Sequence, residues 1–348
     1  MMSKKTIATP PGATIKEQLE DRGMTQKEFA LRMDMSEKHI SKLINGEVHL
    51  TPDVALRLEH VLGIPAEYWN NLEAIYQEKR ARVQAENEMD TDIELAKAFP
   101  YSEMAKLGWV TTTRSAVEKV KNLRDYFQVA KLGALNNLMT PGISYRRVGS
   151  NVQTDYALAA WAQQARLCAR ELEVLSINIA KLQQCVPEIR KMTLETPDVF
   201  CAKLVETMAE CGIALVFLPH MKGSFLHGAT FFDGKKIVMG LTVRGRDADR
   251  FWFSLFHEIG HIVNGHLGRQ SETPEADERE ADAYAAETLI PYDMLEPFLN
   301  IGIFNESTVE SFAKQIGVAP GIVVGRLQKE NIIHFNQMNN LKEHYIIN

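Results

Sequence analysis

Apolar residues recur at helical spacing along most of the chain, and the main departure is a β-prone stretch near residues 213–239. The first eighty or so residues read as short helices punctuated by cap and stop signals. One begins at Thr14 and ends near Gly23. Thr25 is a natural N-cap with Glu28 three residues on, the spacing of a capping box, and Ser36 opens the next helix after Asp34-Met35. Gly46 stops that helix, Thr51-Pro52 starts another, and Gly63-Ile64-Pro65 stops it in turn.

From Glu73 to about Glu94 the sequence is so densely charged that it suits an exposed helix or a linker, and a first domain boundary is expected there. Helical periodicity then runs from about residue 96 to 192, interrupted at Pro141-Gly142 and Gly149-Ser150, as in a helical connector. After Pro197 an amphipathic helix (Phe200 to Cys211) leads into the apolar run 213–218. Two further β-prone runs, Gly228–Phe232 and Lys236–Met239, flank Asp233-Gly234, which predicts a hairpin. A long helix starts near Asp247. The expected fold is mainly α with a small β-sheet (α+β). Its parts are a bundle of short helices (1–80), a charged linker and helical connector (81–195), a domain holding the small sheet and the long helix (196–300) and a C-terminal helical segment (301–348).

Within that long helix lies His257-Glu258-Ile259-Gly260-His261, an H-E-x-x-H motif in an apolar setting. Positions four apart share a helical face, so His257 and His261 can offer imidazole nitrogen to one metal ion. Glu258 stands beside them, suited to general-base work on water acidified by the metal. A catalytic Zn2+ site needs a third protein ligand, and Glu278 supplies it. Asp282, one turn on, orients an imidazole from behind; Glu280 is the second choice as ligand, and His266 reads as a helix-end or loop histidine.

The lead-in Arg250–Phe256 and the downstream run Glu278–Pro291 resemble the ImmA/IrrE metallopeptidases over about residues 200–300. The resemblance implies a zincin-like domain with zinc on His257, His261 and Glu278 and Glu258 as general base. It also implies cleavage of a repressor-like protein.

Residues 26–45 have the layout of a helix-turn-helix: Ala30 permits a close crossing, and Phe29, Met33, Met35, Ile40 and Leu43 form the buried seam. Asp34 holds the turn, where aspartate tolerates left-handed backbone. If Ser36–Asn45 is the recognition helix, Glu37, Lys38, Ser41 and Lys42 face bases and phosphates of double-stranded DNA, and Gln26 and Lys27 meet the backbone. Residues 12–80 resemble Xre and HigA-type repressor and antitoxin domains, which raises the prospect of a toxin partner. Paired operator half-sites predict a homodimer. Ser311–Leu327 shows a second helix-turn-helix cadence, but its apolar Ile322-Val323-Val324 is suited to core packing.

Length and charge narrow this picture. At 348 residues the chain fits two or three domains, and a net charge of -6 argues against a broadly basic surface for non-specific nucleic-acid binding. Cys168, Cys185, Cys201 and Cys211 lack close pairing, so reduced buried thiols are expected. No apolar run suits a membrane span or a signal sequence, which predicts a cytoplasmic protein. The leading expectation is a transcription-linked zinc endopeptidase that binds an operator and cleaves a repressor-like protein or its own linker. The alternative is a non-proteolytic repressor or antitoxin with a structural or sensory zinc.

Overall fold

The computed structural model describes residues 7–135, 152–221, 228–242, 247–268 and 274–345. The expected interruptions at Pro141-Gly142 and Gly149-Ser150 lie outside the described residues. The chain divides into two compact units, residues 1–94 and 95–348. Most of it is helical, and among the described residues no helix is long and apolar enough to cross a membrane.

The first unit contains α1 (Pro11–Asp21), α2 (Gln26–Arg32), α3 (Glu37–Ile44) and α4 (Pro52–Leu62), with α5 (Ala66–Ala96) following. Helix α1 starts three residues ahead of the predicted Thr14, because Pro11 at its first position has φ already set for a helix. Thr25, Ser36 and Thr51 each cap a helix by accepting from the backbone N–H three residues on. At Thr25 only this half of the expected capping box forms; the Glu28 carboxylate instead pairs with Arg32 one turn away. Asp34 holds the turn between α2 and α3 at φ 54°, in the left-handed region. Ile15, Phe29, Ile40, Leu58 and Trp69 are fully buried and close the bundle. The charged stretch after Glu73 is helical and belongs to α5, so a boundary at residue 80 falls within a continuous helix.

The second unit opens with α6 (Tyr101–Lys106), α7 (Ala116–Phe127), α8 (Val152–Arg170), α9 (Ile179–Lys191) and α10 (Pro197–Glu210). A three-stranded sheet follows, made of β1 (Ile213–Leu218), β2 (Gly228–Asp233) and β3 (Lys236–Thr242) in the order β1-β3-β2. β1 runs parallel to β3, and β2 pairs antiparallel with β3. The predicted hairpin forms with Asp233 paired to Lys236, so the turn is Gly234-Lys235, with Gly234 at φ 62°. Helix α8 packs on β1 and β3, with Trp161 so close over Gly240 that a Cβ there would stand 2.5 Å from the indole ring.

The chain ends in α11 (Ala248–Val263), α12 (Pro274–Leu289), α13 (Tyr292–Ile301), α14 (Glu306–Ile316) and α15 (Pro320–Lys329). Val323, Val324 and Leu327 of α15 are fully buried in the core, so the C-terminal helix-turn-helix cadence serves packing. Residues 342–345 return to the start of α11: Asp247 bridges to His344, Lys342 pairs with Asp249 at 2.8 Å, and the Trp252 indole N–H donates to the Tyr345 hydroxyl at 2.9 Å.

Candidate metal centre

Helix α11 buries Phe251, Trp252, Leu255, Phe256, Ile259 and Ile262 in the core. That anchoring fixes the rotation of the helix, and His257 and His261 then face α12. The two helices approach closely because Gly260 meets Ala281: a Cβ on Gly260 would lie 3.1 Å from the Ala281 Cα. Glu278, one turn before Ala281, is thereby brought against both histidines.

The His257 and His261 Nε2 atoms lie 3.1 Å apart. Glu278 Oε2 is 3.4 Å from His257 Nε2, and Glu278 Oε1 is 3.5 Å from His261 Nε2. Donor atoms of all three residues fall within 4.8 Å of one another, a group that can hold a metal ion. The donor set fits a metal on two counts. Glu278 Oε2 is buried yet accepts no hydrogen bond, and the far nitrogen of each imidazole is engaged elsewhere, leaving Nε2 to face the cluster. Two imidazoles and one carboxylate are a donor set of catalytic zinc sites.

His257 Nδ1 lies 2.9 Å from Asp282 Oδ1. His261 Nδ1 lies 2.9 Å from His266 Nδ1, and His266 Nε2 lies 3.1 Å from Glu280 Oε2. Glu278 and Asp282 thus share the face of α12 that meets His257, while Glu280 meets His266 and stands apart from the three-residue cluster.

Glu258 is 5% exposed. Strand β2 forms its cradle: Thr230 Oγ1 donates to Glu258 Oε2 at 2.5 Å, and a Cβ on Gly228 would stand 2.8 Å from Glu258 Oε1. The two residues are two apart and so share a strand face. Burial pushes the Glu258 carboxyl up, although the flanking imidazoles and the Thr230 hydroxyl oppose it. Burial also disfavours charge on His257, but Asp282 and Glu278 outweigh it and raise the imidazole to about 9. Glu278 follows the same contest: burial raises it, and contacts with His257 and His261 prevail and lower it to about 2.

A cleft of about 680 Å³ opens over these residues. Phe253 of α11, Ala286 of α12 and Ile322 and Lys329 of α15 help to line it, and the Lys329 ammonium sits 3.9 Å from the Phe253 ring centroid. In the first unit Gln26, Lys27, Glu37, Lys38, Ser41 and Lys42 are all exposed on α2 and α3, whereas Ile40, Leu43 and Ile44 on α3 are buried.

Sequence reasoning missed Thr230, Gly228 and the pairing of His266 with Glu280. His266 could have been flagged by its position just past an Asn-Gly helix stop. Thr230 leaves no signal in the chain, because its role depends on the strand passing over a helix 28 residues later.

Fold and site together define a helix-turn-helix DNA-binding domain joined to a metallopeptidase-like domain. Residues 15–69 match the helix-turn-helix family, and residues 215–327 match the IrrE N-terminal-like domain, a peptidase family. The chain belongs to the helix-turn-helix regulators through its N-terminal unit and carries an IrrE N-terminal-like domain in its C-terminal unit. It is 35% identical over 63 residues to an uncharacterized HTH-type transcriptional regulator, YddM, of Escherichia coli strain K12; the match covers 18% of this chain and 67% of that protein.

Proposed function

We propose that this protein is a zinc endopeptidase tied to transcription, with the helix-turn-helix domain recognising an operator and the metal centre cutting a repressor-like protein or the chain itself. The observation that carries the reading is Glu258. A structural metal site has no use for a buried carboxylate beside its ligands, yet Thr230 and Gly228 are fitted around this one.

In this reading His257, His261 and Glu278 hold zinc, which when bound supplies a Lewis acid that acidifies water and polarises a carbonyl. Glu258 accepts the proton of the attacking water on its carboxylate and returns it to the leaving amine. Thr230 keeps the carboxylate oriented, and Asp282 keeps His257 turned toward the cluster. The cleft of about 680 Å³ over these residues is where a peptide segment would lie. On the DNA side, Lys38, Ser41 and Lys42, with Glu37, read bases and phosphates from α3, and Gln26 and Lys27 contact the backbone, with dimerisation matching paired half-sites. We assign residues 1–80 to this DNA-binding function, residues 81–195 to a connector, 196–300 to the peptidase and 301–348 to its C-terminal support.

The test expresses wild-type protein and Glu258→Gln in native cells and maps new protein N-termini by mass spectrometry. A cut in a regulatory protein or in this chain, present with wild type and absent with the variant, is expected. Identical termini in both would leave a DNA-binding protein without peptidase action.

A further inference from the structure

We infer that His266 and Glu280 are positioning residues for the metal: they form a relay that fixes the tautomer of His261 and so presents its Nε2 lone pair to the ion. The inference rests on the metal-site reading above and extends it outward by two residues.

The local sequence builds the relay. Asn264 caps α11, Gly265 turns left-handed at φ 69°, and the His266 N–H returns to the His261 carbonyl at 2.9 Å while the Gly265 N–H bonds the Ile262 carbonyl at 3.1 Å. This double hydrogen bond is a Schellman helix stop. It folds the chain back so that His266, whose side chain is fully buried, lies alongside His261 with their ring centroids 5.1 Å apart.

Proton bookkeeping follows from the distances. His261 Nδ1 and His266 Nδ1 are 2.9 Å apart, so one must donate and the other accept. His261 can bind a metal through Nε2 only if that nitrogen is bare, which puts its proton on Nδ1 and makes it the donor. His266 then accepts at Nδ1 and carries its own proton on Nε2. That proton points to Glu280 Oε2 at 3.1 Å, with Asp277 Oδ1 farther away at 3.9 Å. His257 achieves the same end in one step through Asp282. The two ligands therefore have supports of unequal length: a carboxylate directly, and a carboxylate through a second imidazole.

The test measures zinc affinity of the full-length protein by competition with a chromophoric chelator, alongside 15N NMR of the imidazoles. His266→Phe removes the acceptor for His261 and should weaken zinc binding about 10- to 100-fold. His266→Asn, whose side-chain oxygen can still accept from Nδ1, should recover part of that loss. Because Glu280 is largely exposed, Glu280→Ala should fold normally and weaken binding by a smaller factor. Adding Glu280→Ala to His266→Phe should cost nothing more, since the two act in series. In zinc-loaded wild type, His266 should be protonated at Nε2 and bare at Nδ1. Equal zinc affinity in wild type, His266→Phe and Glu280→Ala, or the opposite His266 tautomer, would overturn the relay while leaving the metal site intact. Wild type that takes up no zinc would overturn the metal site and the relay together.

Discussion

Thr230 Oγ1 donates a 2.5 Å hydrogen bond to Glu258 Oε2, linking the edge of a small sheet to the second residue of the H-E-x-x-H motif. If Glu258 is the general base, this bond sets its aim. Thr230→Val should retain zinc and lower kcat roughly tenfold, with Thr230→Ser close to wild type. Glu258→Gln should retain zinc and lower kcat by about 10²- to 10⁴-fold. Elemental analysis beside cleavage of the mapped target checks both, and loss of zinc from Thr230→Val would mean that the threonine supports the fold of the site and not its base.

Gly228 makes the complementary prediction from sterics. Its missing Cβ leaves 2.8 Å to Glu258 Oε1, so Gly228→Ala should displace the carboxylate. Activity should fall while the zinc content stays at the wild-type level. Unchanged cleavage by Gly228→Ala would show that the carboxylate tolerates a shift of that size.

Protonation of the metal-free cluster predicts a pH window. The raised His257 contributes stability that is complete below its ordinary value of 6.5 and is lost as pH rises through about 9. The lowered Glu278 contributes stability that is complete above 4.5 and is lost as pH falls through about 2. Both contributions are in full force between 4.5 and 6.5. Thermal melts of chelator-treated protein should therefore show an alkaline decline that His257→Gln lacks. Zinc added near pH 7 in weak buffer should release about one proton per ion, because His257 must give up its proton to ligate. An alkaline decline of equal size in the variant would remove His257 as its cause.

The sheet makes a stability prediction independent of any metal. A Cβ at Gly240 would lie 2.5 Å from the ring of the fully buried Trp161, between a β-strand and α8. Gly240→Ala should destabilise the second unit by about 1–3 kcal/mol. Chemical denaturation followed by tryptophan fluorescence measures it, and a variant as stable as wild type would show that Trp161 can swing aside.

On the DNA side, Lys42→Ala should weaken operator binding and reduce the slope of log affinity against log salt by about 1 if Lys42 meets a phosphate. Titration at several salt concentrations with the bound operator fragment reads both quantities. An unchanged slope would remove Lys42 from the phosphate contacts.

The capped starts of α2, α3 and α4, the hairpin and the pairing of His257 with His261 on one helix face were legible because each rests on short-range chemistry. A cap at Ser36, a glycine beside Asp233 and two histidines four apart act within a turn or two of chain. The approach of Glu278 to the two histidines could be expected because a metal held there would need a third donor, and the choice over Glu280 followed from helical phase. What stayed hidden depends on long-range approach: Gly228 and Thr230 on one strand meeting Glu258, and Gly240 beneath Trp161. The start of α1 moved because Pro-Pro reads equally well as a turn or as a helix entry.

The return of residues 342–345 to the start of α11 has a consequence in time. The helix that carries both histidines receives the Tyr345 hydroxyl on Trp252 and the Lys342 ammonium on Asp249 from the last described stretch of the chain. During synthesis these partners leave the ribosome after every other part of the site. A nascent chain therefore completes its helix-turn-helix unit long before the helix that carries His257 and His261 is fully braced, which orders the two units by birth.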